Sequence, residues 1–165
     1  MIVRAAVAGD ADAIAAIYAH HVAHGTATFD FDAPDVAHWR HRLAELDARG
    51  LPFLVAKDGG RVIGYAYATQ IRDRPGYRYT CEDSIYVAPE AIGRGVGSMM
   101  MAALIDACTA AGFRQMIAVI GDGEPASVAL HARFGFRHAG RLTQVGRKFD
   151  RWLDTVYMQR ALGED

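Results

Sequence analysis

Hydrophobic residues along the chain repeat with two different periods. Alternation and short apolar runs mark strands at 2–6, 53–57, 61–69, 80–87, 115–120, 137–145 and 152–160. Three- and four-residue spacing marks helices. Ala13, Ile14, Ile17, Tyr18 and Val22 make an apolar stripe on the first helix, which Asp10 can cap and which runs to His24. Pro34, shortly after Asp32, opens a second helix through Arg49, and Gly50 ends it. A third covers 95–111 and a fourth 126–134, stopped by Gly135. Asp58-Gly59-Gly60 is a tight-turn signal between the second and third strands. The order β-α-α-β-β-β-α-β-α-β-β predicts one α/β domain over residues 1–165, a mixed sheet with helices on its faces.

Composition narrows the partners. A net charge of −1 and 22% charged residues leave no basic footprint for nucleic acid or an anionic membrane. No apolar run reaches spanning length, and the opening MIVRAAVAGD lacks a signal peptide's apolar region, so a cytoplasmic location is expected. Cys81 and Cys108 have neither zinc-site nor redox-pair spacing and read as buried free thiols. His20, His21, His24, His38 and His41 have no carboxylate or Cys at matching spacing; they read as a solvated face, and no metal is expected.

The stretch from Ser84 to Gly97, SIYVAPEAIGRGVG, joins an apolar strand to an apolar helix through a glycine-rich loop. Such a loop is either tight packing or an anion site, because free N–H groups and the positive helix end favour phosphate oxygens. No carboxylate lies between Gly95 and Ser98, and Ser98 adds a hydroxyl. A nucleotide-hydrolysing P-loop is excluded because Ser98-Met99, not Lys-Ser or Lys-Thr, follows Gly97. A Rossmann fingerprint is excluded by the loop's late position and the absence of an acid about twenty residues on.

The element order and the loop Ile92-Gly93-Arg94-Gly95-Val96-Gly97 resemble the GNAT superfamily of acetyl-CoA-dependent N-acetyltransferases. The anchoring glycines match; Ile92 replaces the usual polar residue. Further runs are GYAYA (64–68), YRYTCEDSIYV (77–87), AVIGD (118–122), ASVALH (126–131), FGF (134–136) and GRKFDRWLD (146–154). Together with IYAHHVAHGTATF (17–29), they are similar to the phosphinothricin and methionine sulfone/sulfoximine acetyltransferases over nearly the whole chain. The resemblance implies acetyl-CoA as donor, a small-molecule amine as acceptor, and a homodimer.

It also implies residue roles. By alternation Glu82 shares a strand face with Thr80, Ser84 and Tyr86, while Cys81, Asp83, Ile85 and Val87 face the other way. From spacing alone Glu82 is either a strand-end ion pair, with Arg78 as partner, or a base; the subfamily places its catalytic Glu here. His131 stands where the superfamily often has a Tyr that protonates the departing thiolate; its other role is a core histidine. Ser127 shares its helical face. Glu124 replaces an Asn that usually bonds the pantetheine arm, so either its side chain turns outward or cofactor affinity falls. The backbone of Ile85, Tyr86 and Val87 is expected along that arm, with an amide near Val87 on the thioester oxygen. The pyrophosphate is expected on Gly93, Arg94, Gly95, Val96, Gly97 and Ser98. Acceptor recognition is expected from Arg72, Arg74, Tyr77, Arg78, Tyr79 and Thr80, completed by Thr28, Phe29, Lys148 and Trp152. Two rival functions are acetylation of a protein N-terminus or Lys, and a catalytically silent acyl-CoA-binding module.

Overall fold

A computed structural model describes residues 1–163. Its main elements are β1 (Ile2–Ala5), α1 (Ala11–His24), α2 (Val36–Ala48), β2 (Phe53–Asp58), β3 (Arg61–Gln70), β4 (Thr80–Val87), α3 (Val96–Ala110), β5 (Gln115–Gly121), α4 (Pro125–Arg133), β6 (Arg137–Lys148) and β7 (Arg151–Ala161). The strands form one mixed sheet in the order β1-β2-β3-β4-β5-β7-β6. The predicted element order and fold class stand as expected.

Alternation divides the sheet into two faces. Phe53, Tyr65 and Tyr67 stack on one face and meet Trp39 of α2 and Tyr18 of α1, whose ring is also edge-on to Tyr86. The alternate residues of β3 are small, and α3 lies close on that side. A Cβ at Gly64 would stand 2.8 Å from Met100 Cε and 3.1 Å from the Tyr86 carbonyl oxygen, so the glycine lets the Met100 side chain lie directly on the strand. Met100, Met101, Leu104 and Cys108 of α3 are fully buried there.

The parallel pair in the middle positions the site. β4 and β5 are paired only at Thr80–Gln115, Cys81–Met116 and Glu82–Ile117. β4 then continues against β3 as far as Val87–Gly64, and β5 against β7 as far as Gly121–Thr155. The sheet therefore forks after Glu82. Backbone groups along the two inner edges have no strand partner across the fork, and such groups need another one.

Local chemistry corrects several sequence-based details. Asp10 does not cap α1: its carboxylate accepts two hydrogen bonds from Arg4 (2.8 and 2.9 Å) and one from the Val7 N–H (2.8 Å). α2 begins at Val36, not Pro34, because Asp35 is its cap and accepts from the His38 N–H at 2.9 Å. β6 and β7 run longer than their patterns suggest and turn at Phe149 and Asp150, both left-handed (φ 51° and 58°). A turn of that kind normally advertises itself with Asn or Gly, and here it does not.

Candidate active site

The fork opens a cleft of about 970 Å³. Its two arms are Glu82–Val87 and Ala118–Gly121; the glycine loop and the start of α3 close one end, and α4 one side. Gly93 and Gly95 are both left-handed, at φ 80°, and neither would bring a Cβ within 4 Å of another atom. Helical bonding in α3 begins with the Met99 N–H donating to the Gly95 carbonyl at 3.1 Å. The amides of Gly95, Val96, Gly97 and Ser98 thus have no intrahelical acceptor, and the first turn holds no carboxylate.

The structure brings nearly all the expected cofactor residues together. Ile85, Tyr86, Val87, Gly93, Gly95, Val96, Gly97, Ser98, Glu124 and Ser127 line the cleft. Arg94 does not: its guanidinium reaches back to Asp58 at 2.6 Å. Glu124 is the cap of α4, its carboxylate accepting from the Ala126 and Ser127 N–H groups at 3.1 and 2.8 Å. Its negative charge is thereby spent on the helix end. Arg133 also lines the cleft and donates to Ser98 Oγ at 3.2 Å, adding a cation beside the α3 amides. Free amides, a glycine turn without side chains and a nearby guanidinium fit the phosphates of acetyl-CoA, and the unpaired strand edges fit an amide-bearing arm.

Glu82 and His131 line the same cleft. Glu82 is half-buried, and among the described residues its carboxylate has no ion pair or hydrogen bond. Arg78, the ion-pair candidate, donates instead to the Pro75 carbonyl (3.0 Å) and lies over the Tyr79 ring. Burial, and then the neighbouring Asp83 charge, push the Glu82 pKa above its ordinary value. His131 is buried, with Nδ1 2.7 Å from the Ser127 carbonyl oxygen and Nε2 2.7 Å from Asp83 Oδ2. Burial lowers its pKa, but the Asp83 hydrogen bond and charge with the Ser127 carbonyl outweigh that, and the net shift is upward.

On the acceptor side Thr28 and Phe29 reach the cleft, and the other expected residues do not. Thr28 Oγ1 is 2.7 Å from the Tyr18 hydroxyl. A Cβ on Gly146 would stand 2.4 Å, and one on Gly121 2.9 Å, from the Phe29 ring. Lys148 is buried and donates to the carbonyls of Gly25 (2.8 Å) and Thr28 (2.9 Å), fastening the loop after α1 to the end of β6. Arg72, Arg74, Tyr77, Arg78, Tyr79 and Thr80 belong to the β3–β4 connection and the start of β4, outside the cleft. Trp152 is 60% exposed with Arg147 stacked on it.

Sequence reasoning missed Asp83, His21 and Arg133. Among the five histidines read as a solvated face, His21 departs. Its Nε2 is 2.8 Å from the Val87 carbonyl oxygen, its ring packs on Tyr86, and burial holds its pKa down. The residues described include no cluster of three or more metal-ligating side chains.

The acetyltransferase (GNAT) family model matches residues 15–136, which takes in the fork, the loop and α4. The chain belongs to that family. It is 53% identical over 154 residues to a phosphinothricin N-acetyltransferase of Alcaligenes faecalis, covering 93% of this chain and 78% of that one. Identity is 42% to an L-methionine sulfoximine/L-methionine sulfone acetyltransferase of Pseudomonas paraeruginosa, over 97% of this chain and 94% of that one. The crystal structure of a GNAT superfamily phosphinothricin acetyltransferase from Sinorhizobium meliloti in complex with AcCoA superposes with a TM-score of 0.96. It is 47% identical and covers 98% of this chain and 88% of that one. This GNAT enzyme is an acetyl-CoA-dependent N-acetyltransferase.

Proposed function

We propose that the enzyme acetylates the α-amine of a small amino acid or analogue, of the phosphinothricin, methionine sulfone or methionine sulfoximine type, by direct transfer with Glu82 as base. The observation that carries this reading is an unpaired, half-buried Glu82 lining one cleft with His131 and the glycine loop. The relatives named for those substrates support it.

Bound acetyl-CoA supplies an acetyl group activated as a thioester. Glu82 takes a proton from the acceptor amine, directly or through water, as the N–C bond forms. A β4 amide near Val87 holds the acetyl oxygen while charge grows on it. His131 gives a proton to the sulfur as the C–S bond breaks and its electron pair leaves with the sulfur. Thr28 and Phe29 shape the acceptor end.

The deciding experiment is a thiol-release screen over free amino acids, phosphinothricin, methionine sulfone, methionine sulfoximine, polyamines and short peptides. The highest kcat/KM is expected for a free amino acid carrying the phosphinate, sulfone or sulfoximine. Preference for a peptide N-terminus or Lys replaces the acceptor assignment, and binding of acetyl-CoA without any turnover supports the silent module.

We also propose a homodimer through the outer β6–β7 region. β6 is an edge strand, and Leu142, Val145, Phe149 and Trp152 are exposed there, a surface suited to a second copy. A monomer in sedimentation velocity at micromolar concentration overturns this. The buried free thiols Cys81 and Cys108 suit a reducing cytoplasm.

A further inference from the structure

Asp83 is a carboxylate on the wrong side of its strand. One residue past Glu82, it points to the opposite face of β4, and its side chain is 2% exposed. Oδ2 accepts from His131 Nε2, but Oδ1 is buried and has no hydrogen-bond partner among the described residues, although Asp83 lines the cleft. A buried carboxylate with a bare oxygen is costly to keep.

We propose that Asp83 is a positioning residue of the acetyl-transfer site, which holds the His131 ring with both nitrogens protonated and sets a negative charge beside Glu82. This rests on the roles given above to Glu82 and His131. The carbonyl oxygen of Ser127 only accepts, so Nδ1 carries a proton, and Nε2 faces a carboxylate and carries the second.

The surroundings leave Asp83 as the charge common to both groups. β5 has no ionisable side chain from Gln115 to Gly121. α3 contributes Cys108, which meets Cys81 behind Asp83, and the exposed Asp106. On α4, Arg133 is turned to Ser98, while Glu124 at its cap is turned to the first amides. Phe136 packs edge-on against the His131 ring, 4.8 Å away. On Glu82's own face the nearest ionisable groups are Tyr86 and, from α1, His21, which is tied to Val87.

The signs agree. A negative charge near a carboxyl makes it harder to ionise, and near an imidazolium makes it harder to lose a proton. Asp83 therefore moves upward, as one unit, the pH window in which Glu82 is ionised and His131 still charged. That brings the acid closer to a thiol's pKa of about 8.5, where proton transfer is best matched.

The test follows the histidine ring nitrogens by 15N NMR in wild type and Asp83→Asn, with His131→Gln to assign the signal, and kcat against pH at saturating substrates. Asn keeps the shape and can donate an N–H to Nε2, which favours a neutral ring. In wild type both nitrogens of His131 are expected to be protonated at pH 7. In Asp83→Asn the ring should titrate lower by on the order of one pH unit, and both limbs of the kcat profile should move to lower pH. A neutral His131 in the wild type at pH 7 overturns the proposal without any variant, which covers a variant that does not fold. A lower kcat with both limbs in place makes Asp83 merely structural and also overturns it. A ring that behaves as expected in an enzyme that acetylates no amine supports the charge pair and defeats the proposed function instead.

Discussion

On the side of the fork proposed for the cofactor the groups that face the cleft are mostly backbone: the first amides of α3, two left-handed glycines and the unpaired edges of β4 and β5. On the side proposed for the acceptor the surface is made by side chains that lock one another. Phe29 fills the space left by Gly121 and Gly146, Lys148 fastens the loop carbonyls, and Tyr18 bonds both Thr28 and Asp30. A site built from backbone amides depends little on side-chain identity, so Ile92 and Glu124 can line the cleft and still depart from the family pattern, the Glu124 carboxylate being held by the first amides of α4. A side-chain site changes its shape with one substitution. Cofactor use is therefore expected to outlast changes that alter the acceptor.

The proposed base at the junction, Glu82, separates the two halves most sharply. Glu82→Gln keeps the shape and removes the proton acceptor, so kcat should fall by about 10²–10⁴ while the Kd for acetyl-CoA stays unchanged. Turnover within about threefold of wild type would make Glu82 structural.

Lys148→Met breaks the acceptor side alone. It removes a buried ammonium from two carbonyl oxygens, and each charged hydrogen bond is worth about 1.5–3 kcal/mol. Thermal unfolding should occur roughly 6–24 °C lower, at about 2–4 °C per kcal/mol for a chain of this size. An unchanged Tm would show that the loop from Gly25 to Phe29 is held by Phe29 without the lysine.

Gly95→Asp breaks the cofactor side. It puts a side chain on a left-handed residue and a negative charge among the α3 amides. The Kd for acetyl-CoA, read by calorimetry, should rise at least tenfold, about 1.4 kcal/mol. An unchanged Kd in the folded variant would remove the loop from the phosphate site.

The same division governs how much was legible in the sequence. Strand alternation, the helix stripes and the glycine loop are local signals, and they carried the element order and the loop at the start of α3, while the family resemblance supplied the other residues that line the fork. The pairings that build the rest are not local. Asp83 meets His131 across 48 positions, Lys148 meets Thr28 across 120, and His21 meets Val87 across 66. Each depends on how a helix or hairpin packs around the fork, which no single segment encodes. One clue was available: alternation put Asp83 on the apolar face with Cys81 and Ile85, and a carboxylate there needs a partner. Glu124 carried no such clue, because Glu is an uncommon cap and the family pattern drew attention to the cofactor instead.

Arg78 tests the edge of the comparison. The sequence suggests a charge-assisted contact with an acceptor's acidic group, whose loss by the usual measure of such bonds would raise KM ten- to a hundredfold. In the structure the guanidinium is exposed, bonded to the Pro75 carbonyl and stacked on Tyr79, outside the cleft. An exposed charge contact is worth only about 0.2–1 kcal/mol. Arg78→Ala should therefore raise the acceptor KM by no more than about fivefold and leave kcat and acetyl-CoA binding alone. A tenfold or larger increase would mean that the β3–β4 connection closes over the acceptor once it is bound, by its own movement or against a second copy. Repeating the measurement with an uncharged amine distinguishes charge recognition from shape: the ratio of the two KM values changes only if Arg78 reads the acidic group.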